Sequence, residues 1–143
     1  IPLADELKLV ERYLAIEQVR LGPRLQVTVD TDARAAACLV PPLLLQPVVE
    51  NAIVHGVGHL LEGGAVSLAP TQPAATLRIV VTNPCDRDRP KSKGTGLGLG
   101  LLRKRLTAEF GSQATVHAGE ADGQFQVVIE MPARRPGGAQ RDD

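Results

Sequence analysis

Glu50, Asn51 and His55 stand together in the run Glu50-Asn51-Ala52-Ile53-Val54-His55-Gly56, and further along comes Gly94-Thr95-Gly96-Leu97-Gly98-Leu99. The first run offers oxygen ligands and a polar ring, which suit a hydrated divalent cation. The second offers backbone N–H groups that glycine lets come close to an anion. In this order, the two segments make a site for a nucleotide with its metal, and they point to ATP.

Asn51 and His55 lie four residues apart and project from one helical face; Glu50 is beside Asn51, and Gln46 is one turn before Glu50. Leu43, Leu44, Leu45, Val48, Val49, Ala52 and Ile53 surround them with apolar side chains. Polar groups buried there without partners would be costly. Mg²⁺ is one good partner, because it takes few protein oxygens and keeps the rest of its shell for phosphates and water. Taken alone, the run reads first as the wet side of an amphipathic helix. The alternating glycines Gly94, Gly96, Gly98 and Gly100 exceed what a turn requires, and the helix after them adds converging donors and a positive dipole end. Their spacing matches neither a P-loop nor the dinucleotide fingerprint.

The elements that must position these residues follow from periodicity. Leu3, Leu7, Val10, Leu14 and Leu21 form the stripe of a helix over 3–21, which Gly22-Pro23 stops. Residues 25–30 alternate as a half-buried strand. A second helical region runs from Pro41-Pro42 to about Val57, with a kink or break expected at Pro47 before Val48–His55. A weak strand covers 65–69, and 76–82 is the strongest strand, its apolar centre predicting burial on both faces. The glycine run enters a helix from Leu97 to about Phe110. Strands 114–118 and 124–131 form a hairpin about the turn 120–123. The expected architecture is α/β: a two-layer sandwich of a mixed five-stranded sheet with about three helices on one face. Residues 1–22 read as a leading helix, 23–132 as the nucleotide-binding domain and 133–143 as a disordered tail.

The 143 residues suffice for one core, and 16 basic and 16 acidic side chains cancel, so no general attraction to nucleic acid is expected. No stretch reaches the roughly 20 apolar residues of a membrane span. Cys38 and Cys85 lack metal-ligand spacing and read as ordinary thiols of a reducing compartment. The only methionine is Met131, which reads as a piece of a longer protein.

With both segments placed, the chain resembles the ATP-binding catalytic domain of sensor histidine kinases, in the superfamily shared with DNA gyrase B, Hsp90 and MutL. More narrowly it is similar to the LytS/AlgZ-like branch. Residues 7–21 (LKLVERYLAIEQVRL) resemble the segment after the phosphoaccepting histidine, 40–56 (VPPLLLQPVVENAIVHG) the N box, and 94–106 (GTGLGLGLLRKRL) the glycine-rich G2 box. The resemblance implies a Bergerat-type ATP-binding fold with ATP and Mg²⁺ as ligands. Asn51 would ligate Mg²⁺, Glu50 would position or polarise groups near the γ-phosphate, and His55 would approach phosphates or ribose. The backbone of Gly94, Thr95, Gly96, Leu97, Gly98 and Leu99 would cradle the triphosphate. Read from the residues alone, Lys91, Lys93, Arg103 and Arg105 could neutralise phosphates or equally be a solvated charged loop and helix. Residues 84–93 would form the ATP lid.

Three positions depart from the family pattern. Asn83 stands where an aspartate accepts from the adenine amino group, Val54 replaces a lysine, and Leu101 replaces an asparagine. None of His55, His59 and His117 is the expected phosphoacceptor, and the last two read as surface residues. The implied partners are a histidine-bearing dimerisation domain of the same protein and a response regulator, in a homodimer on the cytoplasmic side of an anchored bacterial sensor. A degenerate nucleotide site kept as a regulatory module is the alternative. An ATP hydrolase using Glu50 as general base is the third reading.

Overall fold

The computed structural model describes residues 1–57, 60–85 and 93–136. Helix α1 (Leu3–Leu21) ends in a 3₁₀ turn (Gly22–Arg24) that leads into β1 (Leu25–Val29). A short α2 (Ala33–Ala36) and then α3 (Gln46–Val54) precede β2 (Gly64–Thr71) and β3 (Thr76–Pro84). Helix α4 (Lys93–Phe110) and a second 3₁₀ turn (Gly111–Gln113) lead to the hairpin β4 (Thr115–Ala121) and β5 (Gln124–Pro132).

The sheet has the order β1-β2-β3-β5-β4, with β1 parallel to β2 and every other pair antiparallel. Two connections join parallel strands by a crossover: α2 and α3 lie between β1 and β2, and α4 lies between β3 and β4, with β5 returning between those two. Leu25, Val66, Leu68, Leu77, Ile79, Val81, Val116, Val127, Ile129 and Met131 line the covered face. They share one core with Leu3, Leu7, Val10 and Leu14 of α1, Val49 and Ile53 of α3, and Leu99, Leu102, Leu106 and Phe110 of α4. The leading helix is thus part of the same core as the sheet. The mixed five-stranded sheet and its helical layer are as the periodicity predicts.

Four details differ from expectation. Strand β3 is buried on one face only: Arg78 is exposed and Val80 and Thr82 half-buried on the other, where Arg78 Nε meets Glu130 Oε2 at 3.3 Å. Helix α2, capped by Asp32 Oδ1 accepting from Ala35 N at 2.7 Å, was not anticipated. Helix α4 starts at Lys93 rather than Leu97. The expected disordered tail begins with three tethered residues. Leu39 N donates to Arg134 O at 2.8 Å, Ala133 N to Ala75 O at 2.8 Å, and Arg135 Nη2 to Gln72 Oε1 at 2.6 Å. Residues 137–143 lie outside the described residues.

Candidate functional site

Pro47 does not kink α3; it sits in the first turn, where its missing N–H would have had no helical acceptor. Val48, Val49, Ala52 and Ile53 turn into the core, which leaves Glu50 exposed and Asn51 half-buried beside them. Gln46 Nε2 donates to Glu50 Oε2 at 3.0 Å and so steadies that carboxylate one turn along. His55 is half-buried at the C-cap, its N–H on Asn51 O at 2.9 Å. Val54, in the place of the family's lysine, is exposed.

Strand alternation decides where Asn83 goes. Leu77, Ile79, Val81 and Asn83 occupy one face, so the carboxamide enters the helical side of the sheet and is only 4% exposed. Its Nδ2 donates to Pro84 O at 2.8 Å. With the nitrogen committed as donor, Oδ1 is the atom suited to accept, as an adenine amino group requires. Gly56 closes this arrangement. A Cβ there would fall onto Asn83 Nδ2 and come within 2.5 Å of Ala52 O and 3.0 Å of Pro84 O. The chain leaving α3 therefore passes directly over the end of β3, and the segments holding Asn51 and Asn83 meet at a glycine.

The glycine segment is helical backbone. Gly94, Thr95, Gly96, Leu97 and Gly98 lie in the opening turns of α4. Glycine disfavours helix by about 1 kcal/mol relative to alanine, so sequence propensity places these residues in a loop. As built, the first four N–H groups of α4 have no intrahelical acceptor and are the donors available to an anion. Leu99 is buried in the core, so its side chain packs rather than binds. Arg105 is bonded to the loop before α3, its Nη1 donating to Leu43 O at 3.1 Å and its Nη2 to Pro42 O. Arg103 Nε donates to Val116 O at 2.9 Å on the edge strand β4. His117 is exposed on the open face of the sheet, as a surface residue should be. His59, Lys91 and most of the expected lid (86–92) lie outside the described residues.

Tyr13 was not anticipated as part of this region. It packs against the core, and burial raises its phenol above the usual value of 10.0, helped by the carboxylates of Glu17 and Glu50 and opposed by Arg20. Glu6 was missed too. It falls on the apolar stripe of α1 and is buried, a signal visible in the spacing of Leu3, Glu6, Leu7 and Val10.

Among the described residues, no group of three or more His, Cys, Asp or Glu could hold a metal unaided. Asn51, half-buried beside the exposed Glu50, offers an amide oxygen of the kind a Mg²⁺ takes while drawing its remaining ligands from phosphates and water. Among the described residues, no helix is long and apolar enough to cross a membrane.

Comparison with known proteins bears on the fold and on what the chain is similar to. The chain is 33% identical over 135 residues to the sensor histidine kinase BtsS of Escherichia coli K12, covering 94% of this chain and 24% of that protein. It is 42% identical over 66 residues to the sensor protein LytS of Enterococcus faecalis, covering 46% of this chain and 11% of that one. The sequence fits a LytS-like histidine kinase domain. Its fold matches the solved catalytic domain of histidine kinase ThkA with a TM-score of 0.67 at 18% identity, covering 94% of each chain. The same kinase in complex with the response regulator protein TrrA matches with a TM-score of 0.65 at 16% identity, covering 93% of this chain and 41% of that one. No protein-family model matches. The chain spans about a quarter of the length of BtsS, 24%.

Proposed function

We propose that this domain binds Mg·ATP and donates the γ-phosphate to a histidine on a dimerisation domain of the same protein, from which it passes to a response regulator. The packing of Asn83 against Gly56 carries the reading, because it joins an adenine-type acceptor to the end of the helix bearing Glu50 and Asn51. Asn51 would offer its amide oxygen to Mg²⁺, and Glu50, steadied by Gln46, would hold groups near the γ-phosphate. The first N–H groups of α4, at Gly94 and its neighbours, would receive phosphate oxygens, and His55 would lie toward phosphates or ribose. Bound Mg²⁺ supplies charge neutralisation; the protein's share is positioning. In the whole protein we place the domain on the cytoplasmic side of an anchored homodimeric sensor, with no role for nucleic acid.

Calorimetric titration of ATP with and without Mg²⁺ tests this. Mg-dependent binding that Asn51→Ala abolishes and Asn83→Ala weakens, with the ATP-over-GTP preference lost in the latter, is the expected result. Absence of binding in the unmodified chain would reject the kinase reading in favour of a degenerate module, for which the neutral Asn83 and exposed Val54 already argue.

A further inference from the structure

Two charged side chains from different helices hold the loop that precedes α3. Glu6 of α1, 1% exposed, accepts the N–H of Leu43 at Oε1 (3.1 Å) and of Leu45 at Oε2 (2.8 Å). Arg105 of α4 donates to the carbonyls of Leu43 and Pro42. Leu43 therefore has its N–H on the acid and its C=O on the base. Its φ of 59° is a left-handed conformation that leucine keeps only where its surroundings hold it.

The acid also does what the local sequence does not. Leu45 is the N-cap of α3 and brings no capping side chain, and the run Pro41-Pro42-Leu43-Leu44-Leu45-Gln46-Pro47 contains no Ser, Thr, Asp or Asn. The Glu6 carboxylate, from another helix, instead takes the N–H of Leu45 itself and so sets an anion at the positive end of α3. One loop residue is thereby bonded at once to α1 and to α4, the helix that the glycine segment opens.

We propose that Glu6 and Arg105 are positioning residues for the nucleotide site. Acting through Leu43, they set the start of α3 against α4, so that the placement of α1 is felt in nucleotide affinity. This rests on the ATP reading above.

The test titrates Mg·ATP into the 143-residue chain and its variants well below the melting transition. Glu6→Gln keeps the side-chain shape but turns an amide N–H₂ toward one of the two N–H groups. Arg105→Lys keeps the charge and loses the fork. Each should weaken binding about ten-fold, the scale of a lost charge-assisted hydrogen bond. The double variant should be little worse than either single one, because both act through the same residue. A merely structural role would lower the melting temperature and leave the Kd of the folded molecules unchanged. If the unmodified chain binds and both variants bind equally well, the inference is overturned and the ATP reading stands. Losses that multiply to about a hundred-fold in the double variant would overturn the shared path through Leu43. No binding by the unmodified chain overturns the ATP reading, and the inference with it. Arg105 is exposed, so Arg105→Lys decides the matter alone should Glu6→Gln fail to fold.

Discussion

Gly56→Ala is a single added methyl group with a large expected effect. The new Cβ would overlap Asn83 Nδ2 and approach Ala52 O to 2.5 Å, a distance that carbon and oxygen do not tolerate without movement. Ala52 O belongs to the backbone of α3, so the carboxamide of Asn83 is the group with freedom to move. Overpacking of this kind costs about 1–3 kcal/mol. Displacing Asn83 also breaks its bond to Pro84 O and strands a buried amide, about 1–3 kcal/mol more. A total of roughly 2–6 kcal/mol is a large part of the 5–15 kcal/mol that holds a domain together. At about 2–4 °C per kcal/mol for a chain of this size, the melting temperature should fall by roughly 4–24 °C. Thermal melts and urea titrations with an unchanged m-value would measure it. Gly100→Ala is the internal control, since a Cβ at Gly100 meets nothing within 4 Å and the residue lies inside α4. That variant should gain about 0.5–1 kcal/mol. If Gly56→Ala melts with the unmodified protein, or no lower than Gly100→Ala, the close passage of the chain over Asn83 is wrong.

Asn83→Asp should destabilise the nucleotide-free domain at neutral pH by about 1–3 kcal/mol, because a carboxylate oxygen replaces the donor facing Pro84 O in a buried site. Burial raises the new acid's pKa, so its stability is complete in acid and falls as pH rises; a variant whose melting-temperature deficit is the same at pH 5 and pH 8 refutes this. Tyr13 titrates above 10.0 in the folded chain, so unfolding releases its proton more readily and stability should drop as pH climbs past 10.0. Tyr13→Phe should flatten that drop, and equal slopes in melts between pH 9 and 11.5 would contradict it. Asp122, at φ 55° in the two-residue turn ahead of Gly123, should accept Asn silently, whereas Asp122→Val should cost about 1–2 kcal/mol in urea denaturation.

Much of the architecture is local and therefore legible. The limits of α1, Leu3 and Leu21, coincide with its apolar stripe and with Gly22-Pro23, because amphipathic periodicity and a breaker act over a few residues. The hairpin of β4 and β5 closes on Asp122-Gly123, inside the turn that composition marked. Strand β3 was found where β-branched residues cluster, yet its exposed face was not. A run of Leu77, Ile79, Val80 and Val81 reads the same whether one layer or two cover it. The start of α4 was placed late, since glycine's helical cost says nothing of what tertiary packing will impose.

By itself, then, the sequence determined α1, the cores of α3 and α4, the five strands, and the two segments whose order and residue types pointed to a nucleotide. Only the tertiary structure decided which groups those segments meet. It turned Asn83 to the helical face and laid Gly56 over it, committed Arg105 to the carbonyls of Pro42 and Leu43, and set the buried Glu6 on the N–H of Leu45 at the start of another helix. Each of these is a contact between residues far apart in sequence, and no periodicity or propensity within a short window carries the information that such partners will come together.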